Sequence, residues 1–318
     1  MSDPASPTIN RPFDSWKQII PIWQNEPLPE GLDVLRIAVI TWNMKGKPPP
    51  EDVSDIILKP ALHHIYVICT QECMRPIALS VIYSSMIVWE QTITKELGDD
   101  YRFIGGESIG GTHMMLIVHK SIIHLCSQPR IDTVSTGFFN IIPNKGAVGI
   151  CFNVKSTSFL LIGSHLASGE GCVTDRNENF NRIESELELG DRRETLASNR
   201  FDCAFFLGDL NYRIKVSALF ANGLILNHEK YALLKKDELI YEISEGRTAY
   251  GFKEGLITFP PTFKYKGNEY VLKRIPSWTD RILFKSKNDI LKQQTYGHIP
   301  YNTYSDHKPV FSQFTVQV

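Results

Sequence analysis

The sequence predicts a single α/β domain, and three observations predict it. Short, continuous apolar runs recur along the chain, as in strands covered on both faces. Stripes of apolar residues at three- and four-residue steps separate them, as in helices laid on such strands. Polar and ionisable groups stand just past the ends of the runs, where α/β folds keep their sites. A chain of 318 residues can bury one large core or two modest ones. After residue 30 it carries no repeat, low-complexity tract or linker, so one domain over residues 31–318 is the reading.

Residues 1–30 hold six prolines and little periodicity, and read as an irregular arm. The apolar runs begin with Val34–Thr41, broken only by Arg36, and Tyr66–Thr70. A stripe follows: Leu79, Ile82, Met86, Trp89, Ile93 and Leu97 share one helical face. Met114–Val118, Val148–Val154 and Phe159–Ser164 are further strand candidates. Arg176–Gly190 reads as a helix whose terminal glycine suits a C-cap. Cys203–Leu207 is the sixth strand candidate, and Lys230–Glu245 the third helix.

Composition narrows the function. A formal charge of −1 excludes a nucleic-acid binder that relies on overall basicity, leaving only a local basic pocket. The six cysteines contain no CxxC pair, and several lie inside apolar runs; they read as buried reduced thiols rather than a zinc site or disulfide framework. The polar, Pro-rich start offers no signal peptide, and no stretch is long enough to span a membrane. The expected location is therefore cytoplasmic, with any membrane contact peripheral.

The chemistry is concentrated in Phe205-Phe206-Leu207-Gly208-Asp209-Leu210-Asn211-Tyr212-Arg213. An apolar run stops at a glycine, then presents a carboxylate and a carboxamide two positions apart, on one side of the strand end. Five further clusters repeat the theme: Asn43 after the first strand, Gln71-Glu72 after the second, His165 after the 159–164 run, Asp280-Arg281, and Asp306-His307. Each alone suits a cap or a satisfied hydrogen bond. Six together point to one shared active site. The candidate metal ligands Asn43, Glu72 and Asp306 are oxygen donors, a set that suits Mg²⁺.

On these segments the chain resembles the Mg²⁺-dependent inositol polyphosphate 5-phosphatases, a branch of the DNase I-like endonuclease/exonuclease/phosphatase superfamily. Two signatures carry the likeness: Phe206–Arg213 and Arg274-Ile275-Pro276-Ser277-Trp278-Thr279-Asp280-Arg281-Ile282-Leu283. Asn144-Lys145-Gly146, Pro261-Thr262-Phe263-Lys264-Tyr265 and Ser305-Asp306-His307-Lys308-Pro309 agree. His165-Leu166-Ala167-Ser168-Gly169-Glu170 is most similar to the catalytic domain of the src-homology-containing inositol phosphatases.

The resemblance implies a four-layer sandwich, two mixed β-sheets face to face with helices on the outer faces. It also implies roles. Glu72 and Asn43 would hold the metal; Asp209 would orient or deprotonate the attacking water, with His307 the alternative base, and Asn211 would hold that water or a phosphate oxygen. His307 and His165 would donate to phosphoryl oxygens, and Asp280 would fix His307. Lys145, Lys264 and Arg274 would meet a neighbouring phosphate. Arg213 and Arg281 would either bind substrate or partner buried carboxylates. Phe138, Phe139, Ile141 and Ile142 would either enter a lipid headgroup region or pack into the core. Phe263 stands where the family usually has tyrosine, Leu272 near a usual lysine, and Pro143 at a usual glycine.

The expected partners are phosphatidylinositol 3,4,5-trisphosphate, the 4,5-bisphosphate and soluble inositol polyphosphates. The alternatives are an endonuclease acting at abasic sites on the same fold, and an inactive phosphoinositide-binding module.

Overall fold

The computed structural model describes residues 19–73, 79–137, 145–227, 229–271 and 273–318. Its first sheet contains β1 (Val34–Asn43), β2 (Ile65–Gln71), β3 (Tyr101–Ile109), β4 (Thr112–His119), β13 (Leu291–His298) and β14 (Val310–Gln317), in the order β13-β14-β1-β2-β4-β3. The second contains β5 (Arg130–Ser135), β6 (Gly146–Val154), β7 (Thr157–His165), β8 (Cys203–Asp209), β9 (Lys253–Glu254) and β12 (Asp280–Ser286), in the order β5-β6-β7-β8-β12-β9. A two-stranded ribbon joins β10 (Tyr265–Lys266) and β11 (Glu269–Tyr270). The described helices are α1 (Leu79–Leu97), α2 (Val173–Glu186), α3 (Ala218–Leu226), α4 (Lys230–Leu234) and α5 (Glu238–Ser244). The first eighteen residues of the expected N-terminal arm and the 138–142 segment lie outside the described residues.

Strand periodicity explains the continuous apolar runs. Leu35, Ile37 and Val39 of β1 face Val148, Ile150, Phe159, Leu161, Phe205 and Leu207 of the other sheet in one core between the sheets. The alternate residues are also buried. Ala38, Ile40 and Trp42 pack with Trp89 and Ile93 of α1, while Leu160, Ile162 and Phe206 pack with Phe180 and Ile183 of α2. Consecutive phenylalanines thus serve two layers. The Phe205 ring lies 5.0 Å from that of Phe314 between the sheets, whereas the Phe206 ring stacks 3.9 Å from that of Phe180 on the outside. Each ring fully withdrawn from water contributes about 2–3 kcal/mol. The result is the expected four-layer sandwich.

Two helix expectations need correction. The segment 230–245 is not one helix: it breaks into α4 and α5 at Asp237, whose carboxylate accepts from the Ile240 N–H and caps α5. Asp237 is held there because the same carboxylate takes two bonds from buried Arg281. Helix α2 begins at Val173 and ends before Leu187, so Gly190 does not cap it and lies in the following turn.

Each sheet has one parallel pair, β1/β2 and β7/β8, and the remaining described strand pairs are antiparallel. The carboxyl ends of both parallel pairs meet at one end of the sandwich, where the Asn43 amide reaches Asp209 across the sheets.

Candidate active site

Alternation fixes which side chains enter the site. Along β8 the inward row is Phe205, Leu207 and then Asp209; along β7 it is Phe159, Leu161 and His165; along β1 it is Val39, Thr41 and Asn43. Asp280 stands opposite Asp209 in the β8/β12 register and opens an inward row continued by Ile282. Gly208 sits at φ +145°, and a Cβ there would fall 1.9 Å from the Ser164 carbonyl oxygen. Only glycine lets β8 approach β7 this closely beside the site. Glu72 (φ +49°) and Asn211 (φ +59°) also take left-handed backbone just past their strands. Such residues recur where function over-determines local geometry.

Asp209 is the hub. Its Oδ2 accepts from Asn43 Nδ2 at 2.9 Å and lies 3.4 Å from His165 Nε2, while its Oδ1 accepts from the Asn211 N–H at 3.1 Å. Burial pushes the carboxyl up, but the His165 contact and the positive charges of His307 and Lys145 override it, leaving Asp209 below the usual carboxylate range. Lys145 contacts His165 Nε2 directly. Burial and that lysine push the His165 imidazole down, against the pull of Asp209, so it is neutral near pH 7. Lys145 is itself lowered, chiefly by burial.

His307 behaves oppositely. Its Nδ1 lies 2.9 Å from Asp280 Oδ2, which also accepts from Thr262 Oγ1 at 2.7 Å and Thr279 Oγ1 at 2.9 Å. Burial disfavours the imidazolium, yet Asp280, then Asp209 and Asp306, raise it to about 9. His307 is therefore charged at neutral pH. Its ring packs 4.5 Å from that of Phe263, and the Arg213 guanidinium lies 4.6 Å over the other participant, the Phe263 ring. Ligand atoms of Asp209, Asp280 and His307 lie within 4.8 Å of one another.

The expected cations divide. Lys264 and Lys45 share Asp306 Oδ2 at 3.1 and 3.2 Å. Asp306, expected as a metal ligand, anchors a two-lysine pair. Lys45 was missed by the sequence reading although it stands two residues beyond Asn43, whose Oδ1 accepts from its N–H at 2.9 Å. Arg213 donates to both the backbone oxygen and the side-chain oxygen of Asn211, so the Asn211 amide is committed locally, its Nδ2 also donating to Leu166 O. Arg274 is exposed on the loop before β12.

Arg281 corrects the substrate-binding expectation. Its position next to Asp280 places it on the outward row of β12, where it is fully buried against Asp237 and Glu254. It is a structural partner of those carboxylates. The Glu72 carboxylate is half-buried and makes no hydrogen bond or ion pair among the described residues. Its backbone oxygen accepts from Gly46, tying the ends of β1 and β2 together. All six cysteines are free. No described helix is long and apolar enough to cross a membrane. Phe138, Phe139, Ile141 and Ile142 lie outside the described residues.

Two mixed sheets packed face to face, with these groups at the ends of their parallel strands, define a DNase I-like fold. The chain belongs to the endonuclease/exonuclease/phosphatase family 2, whose model matches residues 40–313. It is 34% identical over 307 residues to the phosphatidylinositol polyphosphate 5-phosphatase type IV of Homo sapiens, covering 89% of this chain and 46% of that protein. It is 33% identical over 329 residues to the phosphatidylinositol 3,4,5-trisphosphate 5-phosphatase 1 of Xenopus laevis, covering 93% of this chain and 31% of that protein. The chain thus spans less than half the length of these relatives. Its fold matches the inositol polyphosphate 5-phosphatase domain of SPsynaptojanin, solved with inositol (1,4)-bisphosphate and a calcium ion: TM-score 0.80, 27% identity, 90% of this chain and 85% of that one. A Cimex nitrophorin, at 18% identity and TM-score 0.74, shares the fold alone.

Proposed function

We propose that this domain is a Mg²⁺-dependent phosphomonoesterase that removes the 5-phosphate of phosphoinositides, the 3,4,5-trisphosphate and the 4,5-bisphosphate, and of soluble inositol polyphosphates. The observation that carries the reading is the pairing of a held-anionic Asp209 with a held-cationic His307, both buried at one strand-end cluster. Hydrolysis needs that combination: a water oriented toward phosphorus and positive charge on the phosphoryl oxygens.

Asp209 accepts a hydrogen bond from the attacking water and points it in line; so low a carboxyl is a weak base, which favours orientation over full proton removal. His307, fixed by Asp280 through Nδ1, donates from Nε2 to a phosphoryl oxygen, and Lys145 adds charge beside His165. The water oxygen bonds phosphorus as the bond to the inositol oxygen breaks; the water gives up one proton as it bonds and the departing inositol oxygen takes one up, so an inositol hydroxyl and phosphate leave. Glu72 and Asn43 fit a hard divalent cation, because both are oxygen donors: the Glu72 carboxylate has no hydrogen bond or ion pair among the described residues, and Asn43 Oδ1 accepts only the Lys45 N–H among them. When bound, that cation would neutralise charge on a phosphate oxygen. Lys264 and Lys45, joined by Asp306, and Arg274 would read the phosphate next to the scissile one. The likeness to phosphoinositide 5-phosphatases supports this substrate class. The domain would act at the cytoplasmic face of membranes.

Phosphate release from a panel of soluble and lipid inositol phosphates, with Mg²⁺ and with chelator, tests the proposal. Release confined to substrates carrying a 5-phosphate, and abolished by chelator, is expected. Cleavage of abasic DNA with no release from inositol phosphates would overturn it.

A further inference from the structure

Helix α3 breaks the rule that an all-apolar helix is buried. Its sequence, Ala218-Leu219-Phe220-Ala221-Asn222-Gly223-Leu224-Ile225-Leu226, has one polar side chain, and Asn222 Nδ2 is turned back onto the Ala218 carbonyl at 2.8 Å. Ala221, Leu224 and Ile225 pack into the core between the sheets. The opposite side is left to water: Leu219 is 86% exposed, Phe220 54%, and Leu226 is exposed as well. Ser217 caps the helix squarely, its Oγ accepting from the Phe220 N–H at 3.2 Å, so these side chains project from a fixed frame. A helix apolar all round belongs in a core or in lipid.

The patch continues beyond α3. Leu256 is 74% exposed, and with Leu234, Ile240, Ile243, Phe252 and Ile257 it borders an apolar groove of about 290 Å³. Behind them, Ile257 of the groove and Leu224 and Ile225 of α3 belong to the same core between the sheets. Its charged margin is mainly basic. Lys215, Lys235 and Lys236 are exposed, with the Lys215 N–H bonded to the Lys236 carbonyl at 2.9 Å. Asp237 and Glu254, the latter lining the groove, are paired with buried Arg281, and buried Glu238 with Arg176, leaving Glu229 and Glu245 as exposed acids nearby. Along the chain the surface follows the site closely: Asn211 and Arg213 precede α3 by only a few residues.

We infer that the outer face of α3, with Leu256 and the Lys215/Lys235/Lys236 margin, is a docking surface for an anionic phospholipid bilayer. Exposed large apolar side chains ringed by lysines match the two forces that hold a protein on such a membrane: burial of apolar groups at the headgroup boundary and attraction to anionic lipid. The inference deepens the proposed function, because docking by this rim would present the site to a lipid headgroup. It does not need hydrolysis to be measured.

The test is co-sedimentation of the full chain with phosphatidylcholine vesicles, with and without phosphatidylserine, and free of phosphoinositide. Wild type should partition onto phosphatidylserine-containing vesicles and weaken as salt rises. The double change Leu219→Asp and Phe220→Asp should lower partition by about tenfold or more. Lys235→Glu with Lys236→Glu should erase the preference for phosphatidylserine, and both variants should hydrolyse a soluble inositol polyphosphate at the wild-type rate. The milder pair Leu219→Gln and Phe220→Gln replaces the first variant if its melting transition is lost. Equal partition of wild type and variants overturns the inference. So does sedimentation of the wild type as a dimer that these substitutions dissolve, which would assign the face to a second copy. Vesicle binding without any phosphatase activity would sink only the proposed function; hydrolysis of soluble substrate without vesicle binding would sink only the docking surface.

Discussion

Asp280→Asn preserves the outline of the side chain and removes the charge that holds His307 protonated. The magnitude follows from the structure. An ordinary imidazole titrates at 6.5, and His307 at about 9. A difference of this size corresponds to roughly 3 kcal/mol in favour of the charged form. Burial opposes that charge, and Asp280 is the largest contribution favouring it, ahead of Asp209 and Asp306. Without Asp280, the imidazole should titrate about two units lower, and by about pH 8 most of the protonated form is gone. The assay is the pH dependence of kcat/KM on a soluble inositol polyphosphate, with the His307 ring titrated by NMR as a readout independent of turnover. Wild type should hold its rate until pH approaches 9; the variant should lose it near neutrality. Stability should follow the same sign. A raised folded-state value stabilises fully below about 6.5, and the stabilisation is lost as pH climbs through about 9, so wild type should weaken across that window and Asp280→Asn should not. An unchanged alkaline limb in the variant would refute the assignment of His307 as the cationic donor.

Asp209→Asn should cut kcat by about a hundredfold or more while leaving vesicle binding intact, measured by phosphate release and co-sedimentation. Lys264→Ala should lower kcat/KM by about tenfold for substrates that carry a phosphate beside the 5-position and much less for those that lack one, because a charge-assisted hydrogen bond contributes about 1.5–3 kcal/mol. Arg281→Met should destabilise by about 3–5 kcal/mol in urea unfolding, since it strands buried Asp237 and Glu254, with little change in kcat on the protein that remains folded.

The strands were legible where both faces are buried. Val34–Thr41 and Cys203–Leu207 read as apolar runs because α1 and α2 cover the outer faces. β5, with one buried residue in six, and β13, whose Lys292 is exposed and whose Gln293 and Thr295 are half-buried, carry no such signal; they are sheet-edge strands paired on one side. The break at Asp237 was illegible for another reason. It depends on a carboxylate held by Arg281 forty-four residues away, a tertiary bond that local pattern does not contain. At the site, residue identity was readable from strand-end position, whereas the division of labour was not. Arg281 and Asp280 are sequence neighbours with the same motif around them, and only the period of two sends one to the site and the other to a buried ion pair. Lys45 went unnoticed because a lysine in an exposed turn has no pattern; its partner Asp306 lies at the far end of the chain.

The Cimex nitrophorin match shows how little the sandwich alone decides. What the fold supplies is two parallel strand pairs whose carboxyl ends oppose one another across a core only two side chains deep. Inward rows that are apolar for most of their length, such as Leu35-Ile37-Val39 and Phe205-Leu207, end in Asn43 and Asp209, which touch at 2.9 Å. The same burial that stabilises the rows sets the electrostatics at their ends. It removes water from Asp209, His165, Asp280 and His307, so each charge is fixed by its protein neighbours rather than by solvent. With solvent gone, burial and Lys145 keep the His165 imidazole neutral, while Asp280, then Asp209 and Asp306, keep that of His307 charged. That separation is the chemical content of the site, and it depends on the inward rows staying in register: a one-residue slip of β12 would exchange Asp280 for Arg281 and place a guanidinium against His307.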